Sequence, residues 1–276
     1  SPPPQARSGS WTSPLSGDIL MQGCGNRHGR IWLLSGTGEG PRLAAALLQL
    51  GWSVEASVVT PAAARAYDGL KLHRLHIGPL QGQDAIRTVL KDGMAYRWVI
   101  DATHPFAAQV SADLAAACAA CAQPLLRLDR PREQGGHVVQ LDSSDALKGM
   151  DLSGRRLLLA VGGRHLARFH HAAVDAGAEV FARCLPSAAG VRAALSAGLP
   201  TDHLAVLQPL EGACPGAIER ALCRRWQITD VLCRQSGGIT ERLWRQLSVA
   251  LDLRLLLLDR PRPAFSVYRA SATKVT

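Results

Sequence analysis

The chain has 276 residues, of which 47% are apolar, 19% charged and 5% aromatic, and its formal net charge is +9 at pH 7. The apolar fraction excludes a mostly disordered chain, and ordinary glycine and proline contents exclude collagen-like and low-complexity architectures. No apolar run approaches the ~18 residues that span a bilayer, and the N-terminus lacks the apolar segment of a secretory signal. Seven cysteines, an odd number in a long chain, are typical of a reducing compartment, so we expect a cytoplasmic protein with no membrane partner.

Strands and helices alternate after residues 1–28, which are rich in Pro, Ser and Gly and are predicted to be a disordered tail. Short apolar runs predict strands, and apolar residues at helical spacing predict helices. The first half is predicted to contain strands at 31–34, 54–59, 70–77, 98–100 and 125–128, with helices at 41–50, 84–90 and 108–122. The second half is predicted to contain strands at 156–161, 179–184, 204–207, 231–233 and 255–258, with helices at 166–176, 218–226 and 239–251.

The two halves share sequence as well as pattern. The segment LxLDRPR occurs at 126–132 and again at 256–262, and residues 50–61 align with residues 176–187. Alternating strands and helices imply parallel βαβ units. We therefore predict an α/β protein with two similar Rossmann-like, doubly wound parallel-sheet lobes and a cleft between them. The predicted boundaries are the tail at 1–28, a first lobe at 29–135, a second lobe at 136–264 and a C-terminal extension at 265–276.

A glycine-rich turn, SGTGEG at 35–40, follows the first predicted strand and precedes a helix. Glycines there let a phosphate approach the backbone, and the helix N-terminus supplies unpaired N–H groups. Position 41 is Pro, so the third glycine of a dinucleotide fingerprint is absent, and such turns also follow many first strands without binding a nucleotide. The predicted phosphate-binding residues are Ser35, Gly36, Thr37, Gly38 and Glu39.

The end of the second predicted strand bears on the choice of cofactor. Enzymes that prefer NAD usually carry an acidic residue there, which binds the ribose hydroxyls. This strand ends at Thr60, Glu55 lies too early, and Arg65 lies just beyond. These residues favour NADPH and tolerate a 2′-phosphate, although Arg65 could equally face solvent.

The segment DATHPFA, at 101–107, follows the fourth predicted strand and places Asp101, Thr103 and His104 where a parallel sheet presents its ligands. Histidine can accept, donate or transfer a proton near neutral pH. The alternative is a structural turn in which Thr103 caps the next helix. The CxxC pair, Cys118 and Cys121, lies in an Ala-rich helical stretch and is predicted to pack there, so no metal site is expected.

The positive charge is concentrated in the second half of the chain. Residues 1–150 carry 14 basic and 12 acidic residues, a net charge of +2, whereas residues 151–276 carry 17 and 10, a net charge of +7. An uneven basic surface favours an acidic partner, which could be a nucleic acid, an anionic membrane or a small polyanion. The chain has no basic helix with interleaved aromatic residues and no zinc-finger spacing, so we do not expect a nucleic-acid partner.

Taken together, these motifs resemble those of the precorrin-6A reductase family, over roughly residues 30–262. DATHPFA matches the most specific family motif at every position, with Ser111 after it, and SGTGEG resembles the family's Gly-Gly-Thr-x-Glu turn. Further similarities lie in LLRLDRP at 125–131, in Gly162, Leu166 and Phe169, in the segment 183–186, and in the segment 234–237. The chain departs from the family at 208–211, where Gln-Pro-Leu-Glu stands in place of Gln-Gly-Pro-Phe.

The resemblance implies NADPH-dependent reduction of a ring double bond of precorrin-6A, or of its cobalt-bearing counterpart, in cobalamin biosynthesis. It implies that the nicotinamide lies near Thr103 and His104, and His104 is the candidate acid. The substrate is a macrocycle with many carboxylates, which suits the basic second half and bidentate arginines. The residues assigned to it are Arg183, Gln208, Arg234, Ser236, Gly237 and Gly238. The alternatives are a non-catalytic two-lobed binding or regulatory protein for an anionic ligand and, on charge alone, a nucleic-acid binder.

Overall fold

Residues 8–10, 29–36, 38–92, 95–208, 214–262 and 268–271 are described by the structure, a computed structural model. The chain forms two compact units. The first lobe comprises Ser1–Pro131 and Pro261–Thr276, and the second lobe comprises Arg132–Arg260. No helix among the described residues is long and apolar enough to cross a membrane.

Thirteen strands and nine α-helices make up the described residues, together with two short 3-10 helices at Arg65–Tyr67 and Thr201–His203. Up to residue 131 they are β1 (Ser8–Ser10), β2 (Arg30–Ser35), α1 (Gly40–Gln49), β3 (Ser53–Val58), α2 (Pro61–Ala64), β4 (Arg74–Ile77), α3 (Gly82–Lys91), β5 (Tyr96–Ala102), α4 (Ala108–Ala120) and β6 (Leu125–Asp129). After it they are β7 (Val138–Leu141), α5 (Ser144–Lys148), β8 (Arg156–Ala160), α6 (Gly163–Asp175), β9 (Glu179–Cys184), α7 (Ala188–Ser196), β10 (Leu204–Val206), α8 (Ala217–Arg225), β11 (Asp230–Arg234), α9 (Ile239–Ala250), β12 (Arg254–Leu258) and β13 (Tyr268–Ser271).

Each lobe contains one parallel sheet. The first has the strand order β1-β13-β6-β5-β2-β3-β4, and the second has the order β10-β9-β8-β11-β12-β7. Every pair of neighbouring strands in both sheets is parallel. Numbered along the chain, β2–β6 and β8–β12 both follow the Rossmann order 3-2-1-4-5. The predicted fold class, two similar parallel-sheet α/β lobes, is therefore confirmed.

Each sheet contains a strand from an unexpected part of the chain. Strand β7 follows β6 in sequence but pairs with β12 in the second sheet. Strand β13 follows the second lobe in sequence but pairs with β6 in the first sheet, where β1 lies on its other side. Within the predicted tail the structure describes only Ser8–Ser10, as β1, and the described part of the predicted C-terminal extension is β13.

The strands are apolar runs because helices cover both faces of each sheet. In the first lobe, Leu43 and Leu47 of α1 pack with Ile31 and Leu33 of β2 on one face. Trp32 of β2 packs with the residues of α3 and α4 on the other face. Pro41 occupies the first turn of α1, where its missing N–H is not needed.

Glu55, in the middle of β3, is a charged residue buried inside this sheet and is 1% exposed. Tyr96 donates a hydrogen bond of 2.7 Å to its Oε2, and Arg30 Nη1 lies 2.9 Å from its Oε1. Burial raises the pKa of Glu55, but the hydrogen bonds from Tyr96 and His76 and the charge of Arg30 outweigh it, so the pKa lies below its ordinary value of 4.5. Glu55 therefore belongs to the interior of the first lobe.

This burial generates a prediction about acid stability. A carboxyl group whose pKa is lowered by folding stabilises the fold above its unfolded pKa, and that contribution is lost as pH falls through the folded pKa. We expect Glu55→Gln to lower the free energy of unfolding at neutral pH by about 1–3 kcal/mol. The variant should also lose less stability than the parent as pH falls below 4.5.

Thermal unfolding followed by circular dichroism across this pH range measures both effects. Asp84→Asn is the control, because Asp84 is a solvent-exposed carboxylate in the same lobe. If Glu55→Gln and the parent lost stability in parallel on acidification, the assigned role of Glu55 would be wrong.

Candidate functional site

The central strands of the first sheet, β2 and β5, end side by side. Ser35 pairs with Ala102 at the last position of the two strands. The glycine-rich turn leaves β2 and the loop containing Thr103 and His104 leaves β5, so both lie at the carboxyl edge of the sheet. The strand order reverses between these two strands, and this is where open α/β sheets bind ligands.

Tyr67 shapes the start of the glycine-rich turn. Its hydroxyl donates a hydrogen bond of 3.1 Å to the carbonyl oxygen of Gly36 and also contacts the hydroxyl of buried Ser35. A Cβ at Gly40 would overlap both hydroxyls, whereas a Cβ at Gly36 would meet no atom within 4 Å. Glycine at position 40 therefore permits close packing, and the backbone at Gly36 has open space beside it.

An ion pair holds the other side of the turn. Arg130, in the segment after β6, donates a hydrogen bond of 2.7 Å from Nη2 to Oε2 of Glu39. A Cβ at Gly38 would lie 3.1 Å from the same Arg130 nitrogen. The negative charge of Glu39 at the start of α1 is thus balanced by Arg130. Thr37, also predicted to bind phosphate, lies outside the described residues.

The loop after β5 is anchored by a buried ion pair. Asp101, 1% exposed, accepts a 3.0 Å hydrogen bond from Thr103 N and a 2.7 Å hydrogen bond from Thr103 Oγ1. Arg127 Nη1 lies 2.6 Å from Asp101 Oδ1 and donates hydrogen bonds of 2.9 Å to the hydroxyl oxygens of Thr103 and Ser111. Thr103 is therefore held by Asp101 and Arg127, and it does not cap α4.

His104 comes next in this loop and is partly buried. The backbone N–H of Phe106 donates a hydrogen bond of 3.2 Å to His104 Nδ1, and Ala107 N donates one of 2.8 Å to the His104 carbonyl. Because Nδ1 accepts a hydrogen bond, it carries no proton in this arrangement, and a neutral ring has its proton on Nε2. The geometry favours a neutral imidazole that donates from Nε2.

The end of β3 carries a threonine in place of a carboxylate. Thr60, two residues past β3, is exposed and caps the short helix α2, because its Oγ1 accepts a 3.1 Å hydrogen bond from Ala63 N. Arg65, in the 3-10 helix that follows, is exposed. Thr60 thus has a structural role as a helix cap. The cofactor role predicted for it stays a prediction.

The second lobe repeats the arrangement with different charges. Gly162, with φ of +84°, leads from β8 into α6, and a Cβ there would lie 3.6 Å from Nη2 of Arg234 at the end of β11. Burial lowers the pKa of His165 in the first turn of α6, and the charges of Arg234, Arg168 and Arg164 lower it further. This end of the second sheet is strongly cationic.

The loop after β11 contains the other predicted substrate residues of this edge. Ser236 and Gly237 are buried, and Gly238 is partly buried. Gly237 N donates a hydrogen bond of 2.7 Å to Oε2 of Glu241, and Arg260 Nε donates one of 2.8 Å to the carbonyl oxygen of Gln235. The structure therefore brings Arg234 and Ser236–Gly238 together with Gly162.

Two predicted substrate residues lie apart from this loop. Arg183, near the end of β9, is only 9% exposed, and its Nε has no hydrogen-bond partner among the described residues. Burial lowers the pKa of Arg183, while the charge of Glu219 on α8 raises it. Gln208 is exposed just after β10, and the variant segment 209–213 that follows lies outside the described residues.

Four of the six cysteines that the structure describes are buried. Cys118 is buried in α4, where burial raises the pKa of its thiol to about 12, and Cys121 ends that helix. This agrees with the predicted packing role of the CxxC pair. Across the described ranges, no group of three or more His, Cys, Asp or Glu side chains is placed to hold a metal ion.

Three site residues escaped the sequence reasoning: Tyr67, Arg127 and Arg130. Arg127 had a usable signal, because it is the one charged residue inside the apolar strand segment 125–128. Tyr67 and Arg130 gave none, since an aromatic residue after a helix and an arginine after a strand are common on protein surfaces.

Comparisons with known proteins agree with this arrangement. A sequence model of the family described as "Precorrin-6x reductase CbiJ/CobK" matches residues 30–276. The chain is 29% identical over 238 residues to the cobalt-precorrin-6A reductase of Synechocystis sp., covering 84% of this chain and 88% of the relative. It is 30% identical over 237 residues to the precorrin-6A reductase of Rhodococcus erythropolis, covering 84% and 89%.

A solved structure titled "CobK precorrin-6A reductase" is similar in fold. Its TM-score is 0.68 at 26% sequence identity, and the match covers 88% of this chain and 93% of the other. The similarity in fold therefore extends over most of the chain.

Proposed function

The chain belongs to the precorrin-6x reductase CbiJ/CobK family, and we propose that it uses NADPH to reduce one ring double bond of precorrin-6A, or of its cobalt-bearing counterpart. The product would be the corresponding precorrin-6B in cobalamin biosynthesis. The observation that carries the proposal is the family match across both lobes, which includes the two loops at the carboxyl ends of β2 and β5. A cytoplasmic location suits such a biosynthetic reaction.

The first lobe is proposed to hold the cofactor. The N-terminus of α1 offers unpaired N–H groups, and the open space at Gly36 lets a pyrophosphate approach the backbone. Ser35, Thr37, Gly38 and Glu39 complete this turn. The residues present thus fit a dinucleotide, and Arg130 keeps the Glu39 carboxylate from repelling its phosphates.

NADPH rather than NADH is proposed on the residues around β3. Glu55 is bound by Arg30 and Tyr96 in the interior, so it is not available to ribose hydroxyls. Thr60 stands at the exposed strand end, and Arg65 lies close in sequence with a cationic group suited to a 2′-phosphate.

Thr103 and His104 are proposed to lie beside the nicotinamide. When bound, the reduced nicotinamide supplies the hydride that saturates the ring double bond. The protein contributes orientation, because the hydrogen bond from Phe106 N to Nδ1 holds the His104 ring in one position in the loop. To donate a catalytic proton, His104 would have to be protonated on both nitrogens, and Nδ1 would then lose its hydrogen bond from the Phe106 N–H. We therefore assign His104 mainly to binding, and proton transfer by it is the less favoured role.

The second lobe is proposed to bind the polycarboxylate macrocycle. Arg234 stands beside the N-terminus of α6, and Arg164 and Arg168 add to the positive charge there. Guanidinium groups and helix N-termini both favour carboxylates. Ser236, Gly237 and Gly238 would add hydrogen bonds, and Arg183 and Gln208 are the remaining proposed contacts.

Anaerobic incubation of the protein with precorrin-6A and NADPH tests the function. We expect NADPH consumption and a product heavier by two hydrogen atoms, detected by absorbance and mass spectrometry. Parallel reactions with cobalt-precorrin-6A and with NADH identify the preferred partners, and NADPH should bind more tightly than NADH at equal salt. Ligand binding without NADPH consumption for either substrate would favour the non-catalytic alternative.

The open space at Gly36 predicts a selective loss of cofactor affinity. Gly36→Val adds a branched side chain whose Cβ has open space around it and which would occupy the approach of the pyrophosphate. We expect its dissociation constant for NADPH to rise at least tenfold, about 1.4 kcal/mol, with an unchanged melting temperature. Fluorescence titration measures the affinity, and Gly149→Ala, in the second lobe, is the control. Unchanged NADPH binding in Gly36→Val would place the cofactor elsewhere.

The two arginines of the second lobe should respond differently to truncation. Arg234→Ala removes one partner of a charge-assisted pair of ~1.5–3 kcal/mol, so we expect roughly ten- to hundredfold weaker substrate binding and unchanged NADPH affinity. Arg183→Ala should lower the melting temperature as well, because Arg183 is buried and interacts electrostatically with Glu219. Arg225→Ala, an exposed site on α8, controls for the loss of charge.

Substrate binding, NADPH binding and thermal unfolding are measured on each variant. Arg234→Ala with lower stability and full substrate affinity would assign Arg234 to the fold. Lost NADPH binding with retained substrate binding would mean that the roles of the two lobes are reversed.

A further inference from the structure

We propose that Arg127 and Asp101 are positioning residues, which fix the loop of Thr103 and His104 in the geometry that the reaction needs. The inference rests on the proposed function, because it concerns the same carboxyl edge of the first sheet. It assigns a role to an ion pair that the reaction chemistry itself does not require.

A single guanidinium nitrogen organises the loop. Nη1 of Arg127 lies within 2.9 Å of one oxygen each of Asp101, Thr103 and Ser111. Arg127 belongs to β6 and Asp101 to β5, whereas Thr103 lies in the loop and Ser111 in α4. The contacts of Arg127 therefore join strand, loop and helix at one point. Thr103 is fixed twice, since both its N–H and its hydroxyl donate to Asp101 Oδ1.

Stability alone does not account for this pair. Asp101 is 1% exposed and the Arg127 side chain 15% exposed, so both charges are largely removed from water. The desolvation of a buried ion pair roughly cancels its attraction, and apolar residues of similar volume are often as stabilising or more so. A charged pair at this position therefore needs a reason beyond the stability of the sheet.

The second lobe provides an internal comparison. Asp101 pairs with Arg127 in the first sheet, and the repeat aligns this pair with Cys233 and Leu257, which pair in the second sheet. Cys233 and Leu257 are buried and apolar in character, at 2% and 0% exposure. The same fold thus forms with no charge at these two strand positions.

In both lobes a carboxylate holds the loop that follows the fourth strand of the Rossmann order, which is β5 in the first lobe and β11 in the second. In the second lobe Gly237 N donates to Glu241 on α9, and Arg245 Nε lies 3.0 Å from the other oxygen of that carboxylate. In the first lobe Thr103 N donates to Asp101, and Arg127 is the countercharge. Each lobe fixes this loop with a different buried ion pair. The feature common to both lobes is therefore the fixed position of the loop and not the particular residues that hold it.

The decisive variant gives the first sheet the apolar pair of the second. Asp101→Cys combined with Arg127→Leu removes both charges together, so no unpaired charge is left inside. We expect a melting temperature within a few degrees of the parent and a kcat reduced about 100-fold, the loss expected of a misplacement of about 1 Å. The KM for the substrate should change much less, because the proposed substrate residues lie in the second lobe.

A second measurement reports on the loop directly. Hydrogen–deuterium exchange of a peptide covering 101–107 should be faster in the double variant, since the Thr103 amide loses its acceptor. Arg87→Leu, which removes an exposed arginine from α3, is the matched control and should change neither kcat nor exchange. A double variant with parental kcat and exchange would overturn the inference.

Arg127→Lys covers the case in which the double variant does not fold. Lysine keeps the charge beside Asp101 but has no guanidinium fork, so we expect a partial loss, with kcat about tenfold below the parent at an unchanged melting temperature. Parental kcat in Arg127→Lys would contradict the inference. Failure of the proposed function looks different, because the parent itself would then consume no NADPH with either substrate.

Discussion

The site depends on one pairing: β2 lies beside β5, although about sixty residues separate them in the chain. In a parallel sheet all the strands have their carboxyl ends at one edge. Because the strand order reverses between β2 and β5, the connections that follow these two strands lead to opposite sides and leave a crevice between them. The glycine-rich turn and the loop of His104 become neighbours for this reason. The stabilising contacts around them, from Tyr67, Arg130 and Arg127, preserve a proximity that the sheet has already created.

The duplicated lobes differ most in how they balance charge at this edge. In the first lobe the turn carries Glu39, and Arg130 neutralises it. In the second lobe the corresponding turn is approached by Arg234, with Arg164 and Arg168 on the helix that follows. A nearly neutral glycine turn suits a pyrophosphate that binds to backbone N–H groups, whereas a cationic turn suits separate carboxylates. The charges of the two lobes therefore fit the two ligands that we propose for them.

Long elements were predictable because apolar periodicity is a local property. Strand β9 was predicted with its observed bounds, and α1, α4 and α9 were predicted within two residues. The elements missed were β1, α2, β7, α5, α7 and β13. All of them except α7 have three to five residues, which contain too little of either period. The helix α7 consists largely of alanine and glycine, so its apolar spacing is weak. The exchange of β7 and β13 between sheets, and the contacts of Arg127, depend on partners far away in sequence. The charge inside an apolar strand marks Arg127 as unusual, but no local pattern identifies Asp101, Thr103 and Ser111 as its partners.

The rigidity of the loop after β5 also constrains the source of the proton that accompanies hydride transfer. Protonating His104 on both nitrogens would turn Nδ1 from an acceptor into a donor facing the N–H of Phe106. The loop would have to move to relieve that contact, but Thr103, the preceding residue, is fixed by Asp101 and Arg127. A loop held in this way is suited to presenting a constant hydrogen-bond donor. We therefore propose that the proton comes from water or from the substrate rather than from His104.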